Sequence, residues 1–134
     1  MILNIHPSNG LAIYDQIVRQ VNFAVASGVL RSGELVPSVR QLARELAINP
    51  NTVARAYQQL QSQDVIEPIR GQGLQITTTA AKRCRQTRVQ MIRERLRSVM
   101  QEAALSRLEF DQLRELIDQE LAAVQRAQNE ETQK

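Results

Sequence analysis

The residues best placed to do chemistry in this chain are Asn51, Thr52 and Arg55, and their chemistry is recognition rather than bond-making. An asparagine amide pairs bidentately with adenine, an arginine fork with guanine, and a threonine hydroxyl reaches phosphate oxygens. Catalytic groups are scarce by comparison. His6 is the only histidine and sits beside Pro7, in a turn-like setting. Cys84 is the only cysteine; Arg83 and Arg85 beside it would lower its pKa, which leaves redox sensing as a minor reading. There is no phosphate-binding glycine loop, zinc-ligand spacing or carboxylate pair, so no enzyme activity, metal or cofactor is expected.

Those residues need a helix to present them, and the sequence supplies two helices with their own start signals. Ser38 can accept a bond from the backbone N–H of Gln41 while Gln41 reaches back, a reciprocal capping box. Val39, Leu42, Ala43 and Leu46 then form one helical stripe. Asn49 is a good N-cap and Pro50 fits the first helical position, where its missing N–H is no loss. Val53, Ala56, Tyr57 and Leu60 repeat the stripe, leaving Asn51, Thr52, Arg55, Gln58 and Gln59 outward. A turn of about three residues around Ala47 and Ile48 forces the second helix across the first, as in a helix-turn-helix. Two packed helices of any α domain would explain the stripes equally well. They would not explain an outer face of short hydrogen-bonding groups, which suits the major groove of DNA.

Residues 65 to 70 and 74 to 77 read as short strands around Gly71-Gln72-Gly73, whose glycines permit the positive φ of a tight hairpin. Pro68 restricts the first strand to an edge or a bulge. A hairpin after a helix-turn-helix is a wing; Gly71, Gln72 and Gly73 would approach the sugar-phosphate backbone, with Arg70 as the cation beside them.

Residues 11 to 78 resemble the winged helix-turn-helix domain of the GntR family of bacterial transcriptional regulators. The likeness rests on Tyr14-Asp15-Gln16-Ile17, Ser27-Gly28-Val29-Leu30, residues 33 to 43, residues 49 to 57 and the Gly71-Gln72-Gly73 wing. The Asn-Pro-Asn-Thr-Val run and short tail are most similar to the YtrA-type branch. The resemblance implies a DNA contact for Arg40. Many members carry arginines where this chain has Pro50 and Ala54, so Asn51, Thr52 and Arg55 are the available substitutes. Which of them reads a base is left open by the sequence. The wing also departs from the family, with Leu74-Gln75 where Thr-Phe is common. Ser38 and Asn49 complete the expected DNA-binding set.

Aromatic residues are few (Phe23, Phe110, Tyr14, Tyr57, no Trp), so the core must be aliphatic. A lone cysteine, no apolar leader at the N-terminus and no membrane-length run fit a cytoplasmic protein with no membrane partner. The first helix is expected over about residues 12 to 27, with Ile17, Val21, Ala24 and Val25 inward and Gly28 as its stop. Residues 2 to 5 are expected to form a short strand before it. The net charge of +3 is unevenly spread. Residues 1 to 78 carry six arginines against five acids, and residues 79 to 104 carry seven basic residues against two acids. The remainder is acidic by three. The arginine cluster reads first as a solvated helix face and second as a phosphate contact.

In the tail, Val89, Ile92, Leu96, Val99 and Ala103 follow the 3-4 spacing of a helix that packs lengthwise on another. Ser106 with Glu109 reads as a second capping box, followed by a stripe of Phe110, Leu113, Ile117, Leu121 and Val124. Residues 129 to 134 are polar and expected to fray. Two helices cannot enclose their own stripes, so a second copy is expected to cover them, making a homodimer; packing back on the winged domain is the alternative.

The expected fold is therefore mainly α with a small β-wing: a winged helix-turn-helix domain over residues 1–78 and a C-terminal helical hairpin for dimerisation over residues 79–134. The expected partner is double-stranded operator DNA with an inverted repeat, its half-sites roughly 34 Å apart. The resemblance implies repression, and the tail is too short for the effector domains found elsewhere in the family. Any small effector stays unknown. A winged-helix protein-interaction module without specific DNA binding is the alternative function.

Overall fold

The computed structural model describes Met1–Gln133 and divides into two compact units, Met1–Ile92 and Arg93–Lys134. The element order is α1 (Ile13–Ala26), β1 (Leu35–Val36), α2 (Val39–Leu46), α3 (Pro50–Ser62), β2 (Ile66–Ile69), β3 (Gly73–Ile76), α4 (Ala80–Leu105) and α5 (Phe110–Thr132). Mainly helical with a small sheet, this is the winged-helix arrangement expected.

In the first unit α1 and α2 each pack on α3, and α3 also meets β2. The core is aliphatic: Ile17, Val18, Val21, Leu42, Val53, Leu60 and Ile76 are fully buried. On α1, Ile17, Val21 and Val25 face inward as expected, Ala24 is half-buried, and Gly28 at φ +84° ends the helix. The sheet is antiparallel in the order β1-β3-β2. Pro68 lies on the edge strand β2 opposite Leu74, where its missing N–H leaves no gap in a central ladder. The third strand, β1, pairs Leu35 with Gln75 and Val36 with Leu74. Sequence reasoning missed it, because two residues show no periodicity.

Three local expectations are corrected. Residues 2 to 5 are not a strand: their backbone is held by glutamine side chains of α1. Gln20 Oε1 accepts from the Asn4 N–H at 2.8 Å, and Gln16 Oε1 accepts from the His6 N–H at 2.8 Å. Gln16 is itself buried and donates to the carbonyls of His6 and Leu11. The capping box of α2 is half-formed: Ser38 Oγ accepts from the Gln41 N–H at 3.1 Å, but the Gln41 amide donates to Glu45 instead of reaching back. The second box does not form. Ser106 Oγ donates to the Ala103 carbonyl, finishing α4, and α5 starts at Phe110 with no side-chain cap from Glu109.

The turn between α2 and α3 is Ala47-Ile48-Asn49, with Ala47 left-handed at φ 55° and ψ 46°. A left-handed residue with a Cβ costs roughly 1–2 kcal/mol, partly offset by the extra freedom glycine has when unfolded. Ala47→Gly is therefore expected to stabilise the first unit by up to about 1 kcal/mol in urea unfolding. A loss of stability would mean that the left-handed turn is not populated.

In the second unit Ala103 is buried, Leu108 and Leu113 are half-buried at the corner, and no residue of α5 is buried. Leu96, Val99, Leu121 and Val124 are each 51–55 % exposed. Residues 129 to 132, expected to fray, are helical; Lys134 lies outside the described residues. Among the described residues no helix is long and apolar enough to cross a membrane.

Candidate nucleic-acid interface

The second helix of the pair is built as its caps dictate. Asn49 Oδ1 accepts from the Asn51 N–H at 2.8 Å, Pro50 takes the first turn, and Val53, Ala56, Tyr57 and Leu60 are buried. This fixes the rotation of α3. Asn51, Arg55 and Gln58 are left exposed, and Thr52 and Gln59 half-buried. The Tyr57 hydroxyl donates to the Pro37 carbonyl at 2.7 Å, tying α3 to the approach of α2. Burial, with Glu45 nearby as the lesser cause, pushes the Tyr57 phenol well above its ordinary pKa, so it stays a donor at any physiological pH.

The side-chain oxygens of Ser38 and Asn49 are already engaged as caps. What these positions still offer an anion is the N–H-rich start of each helix. Arg40 is exposed on α2. A cleft of about 470 Å³ is lined by Arg40, Arg44, Ala43, Ile48 and Pro50, so two arginines flank the junction of the helix pair. Arg44 was missed, although its i, i+4 spacing from Arg40 puts both on one helix face. A second cleft of about 610 Å³ brings Ser38, the N-cap of α2, and Gln41 beside Gln72 and Gly73 of the hairpin.

The hairpin tip closes with the Gln72 N–H donating to the Ile69 carbonyl at 3.0 Å, with Gly71 at φ +77° and Gly73 at φ +99°. Any side chain at either glycine would strain the turn. Arg70, Gly71, Gln72 and Gly73 are all exposed. The hairpin is anchored at its base, where Gln75 Nε2 donates to Glu67 Oε1 at 2.9 Å and β1 pairs with β3.

Arg55 is not a free surface side chain. Its guanidinium carbon lies 3.7 Å from the centroid of the Tyr14 ring, at the start of α1. Sequence reasoning singled out Arg55 but used Tyr14 only as part of a family pattern.

Two residues of the arginine-rich segment have defined surroundings. Arg83 Nη1 donates to Asp64 Oδ2 and to the Gln63 carbonyl, both at 2.9 Å, clasping the start of α4 to the end of α3. Both partners are well exposed, so this pair adds little stability. Cys84 corrects the redox reading. It is fully buried in the core, and burial raises its thiol pKa from an ordinary 9.0 to about 11, against the smaller opposing effect of Arg83. Alkylation of the native protein at pH 8 is therefore expected to be slow and to rise to the rate of a free thiol in denaturant. A raised folded pKa gives a stability contribution that is full below 9.0 and is lost as pH climbs toward about 11. Rapid native labelling would overturn this placement.

Residues 13–76 match the family model of the bacterial regulatory proteins of the gntR family. The chain is 34% identical over 116 residues to the HTH-type transcriptional repressor YtrA of Bacillus subtilis (strain 168), covering 87% of this chain and 89% of that protein. Among solved structures, it is similar to a transcriptional antiterminator from Listeria monocytogenes EGD-e at 30% identity and a TM-score of 0.65, covering 89% of both chains. It is also similar to a GntR family transcriptional regulator from Listeria monocytogenes, at 26% identity and a TM-score of 0.65, covering 84% of this chain and 97% of that one.

Proposed function

The chain belongs to the GntR family of bacterial regulatory proteins, and from that premise we propose that it is a transcriptional repressor that binds an inverted-repeat operator as a homodimer. The observation that carries this reading is the face of α3, where buried Val53, Ala56 and Tyr57 leave Asn51 and Arg55 exposed behind an Asn49-Pro50 start. In this reading Asn51, Thr52 and Arg55 face base edges and nearby backbone in the major groove. Arg40, the helix starts at Ser38 and Asn49, and the wing at Arg70 to Gly73 hold phosphates and set register. Residues 1–78 read DNA. Residues 79–134 pair two copies through the stripes that include Val89, Ile92, Leu96, Val99, Leu113, Ile117 and Leu121. Occupancy of the operator obstructs polymerase, in keeping with the name repressor borne by the Bacillus relative. The protein acts in the cytoplasm, where the DNA is, and no catalytic step is part of its action.

The test is selection of bound duplexes from a random pool with the purified protein. Recovery of an inverted repeat, with affinity falling as salt rises, is the expected result. Indifference to every duplex at low salt would sink the proposal and favour a winged helix that docks a protein.

A further inference from the structure

We infer that Tyr14, on α1, is a specificity-determining positioning residue for DNA recognition, acting by holding the Arg55 guanidinium as a preformed reading group. This rests on the proposed contact of Arg55 with a base.

Tyr14 is half-buried in the first turn of α1 and packs against the core that joins α1 to α3. Its ring is therefore a fixed platform. Arg55 lies on the exposed face of α3 with its guanidinium carbon 3.7 Å from the ring centroid, well within the distance at which a ring quadrupole attracts a cation. Among the described residues, no carboxylate, carbonyl or hydroxyl accepts a bond from any Arg55 N–H. Stacking satisfies the flat face of a guanidinium but consumes none of its five donors, which lie in its plane. An arginine stacked in this way is held in place while its hydrogen-bonding edge stays open. A free arginine would have to lose its rotamer freedom on binding; one already on Tyr14 has less to lose. Acid pairing, the usual way to hold a surface arginine, would occupy the same fork that guanine needs. An aromatic platform avoids that competition.

The nearly neutral charge of residues 1–78 gives this device its weight, because operator affinity here cannot lean on general attraction to DNA. It also assigns a recognition role to the start of a helix outside the helix-turn-helix pair.

The experiment compares wild type, Tyr14→Leu, Tyr14→Phe, Arg55→Ala and the Tyr14→Leu/Arg55→Ala double variant. Each is measured against the selected operator and against operators changed at each base pair. Leucine keeps apolar volume but has no ring; phenylalanine keeps the ring. Tyr14→Leu is expected to weaken operator binding about two- to fivefold, the fold-change given by about 0.5–1 kcal/mol of cation–π energy. The loss falls at the base pair whose preference Arg55→Ala also erases. Tyr14→Phe keeps that preference, and Tyr14→Leu adds nothing once Arg55 is alanine. The proposal is overturned if Arg55→Ala loses the preference and Tyr14→Leu keeps it. It is equally overturned if Tyr14→Leu weakens all sequences alike, which is the mark of a structural role, or if Tyr14→Phe fails as Tyr14→Leu does. An unchanged preference in Arg55→Ala overturns the base contact itself, a different failure that this set separates from the others.

Discussion

Replacing Leu96 with glutamate is expected to break the proposed dimer into monomers at micromolar concentration, with its helix content unchanged. Leu96 is 53 % exposed in the single chain, so the new carboxylate costs the fold little. In a paired tail the same carboxylate would be buried twice, once per copy. Each buried leucine contributes about 1.5–3 kcal/mol, and placing a charge in its stead adds a desolvation cost. Leu121, 55 % exposed on α5, should behave the same way. Sedimentation reads the association state, and circular dichroism checks that the helices persist. Operator affinity should then fall by roughly 10²–10⁴, the gain that linking two modest binding heads supplies. A variant that sediments as the wild type does would remove the tail from the dimer interface.

That large factor follows from the charge distribution. Six arginines against five acids leave the reading domain with little net attraction for a polyanion. Of those arginines, Arg19 is already paired with Asp15 at 3.1 Å, which takes one cation out of the set that could displace counterions. Each phosphate contact contributes about 0.9 to the slope of log affinity against log salt, so a single head should show a shallow slope and a dimer about twice that slope. The basic start of α4 adds little in compensation where Arg83 is already engaged by Asp64.

How much of this was legible in the sequence depended on whether the determining interaction was local. The boundaries of α2 and α3 were readable because Ser38, Asn49 and Pro50 act within a turn of themselves, and the stripes that follow have full helical periods. The hairpin was readable because its two glycines and the edge-restricted Pro68 mark it without outside help. The N-terminal segment was misread because what holds it is non-local: its backbone bonds go to Gln16 and Gln20, side chains that look like ordinary exposed helix residues. Cys84 was misread because its neighbours in sequence are arginines, while its neighbours in space, with Ala80 one turn earlier, are the apolar core. The start of α5 was misplaced because Ser106 bonds back to Ala103 and ends one helix instead of opening the next. The candidate site was legible in its residue types but not in its couplings. Tyr14 joins it only when α1 and α3 are placed against each other, whereas the i, i+4 spacing of Arg44 from Arg40 was already in the sequence.

The same aliphatic core that sets those placements makes Leu60→Ala the most destabilising simple change to the reading domain. Leu60 is fully buried near the end of α3, in the core that α3 shares with α1 and β2, and its carbonyl accepts the Val65 N–H at 2.9 Å where the chain turns into the hairpin. With no tryptophan and only two phenylalanines in the chain, few bulky neighbours can move in to fill the space. A leucine deletion of this kind costs about 2–5 kcal/mol, transfer energy plus the cavity left behind. Against a typical total of roughly 5–15 kcal/mol, that is enough to leave a measurable unfolded fraction. At a urea dependence of about 1–3 kcal/mol per molar, the midpoint should fall by about 1–2 M. The comparison must be made at fixed protein concentration, since self-association raises apparent stability by mass action. Leu60→Met, which keeps the volume, should cost less than about 1.5 kcal/mol and preserve operator binding. If the alanine variant unfolds within about 0.5 kcal/mol of wild type, the effect of a surface substitution, Leu60 is not the centre of the packing that orients α3. The face of Asn51 and Arg55 would then need a different support.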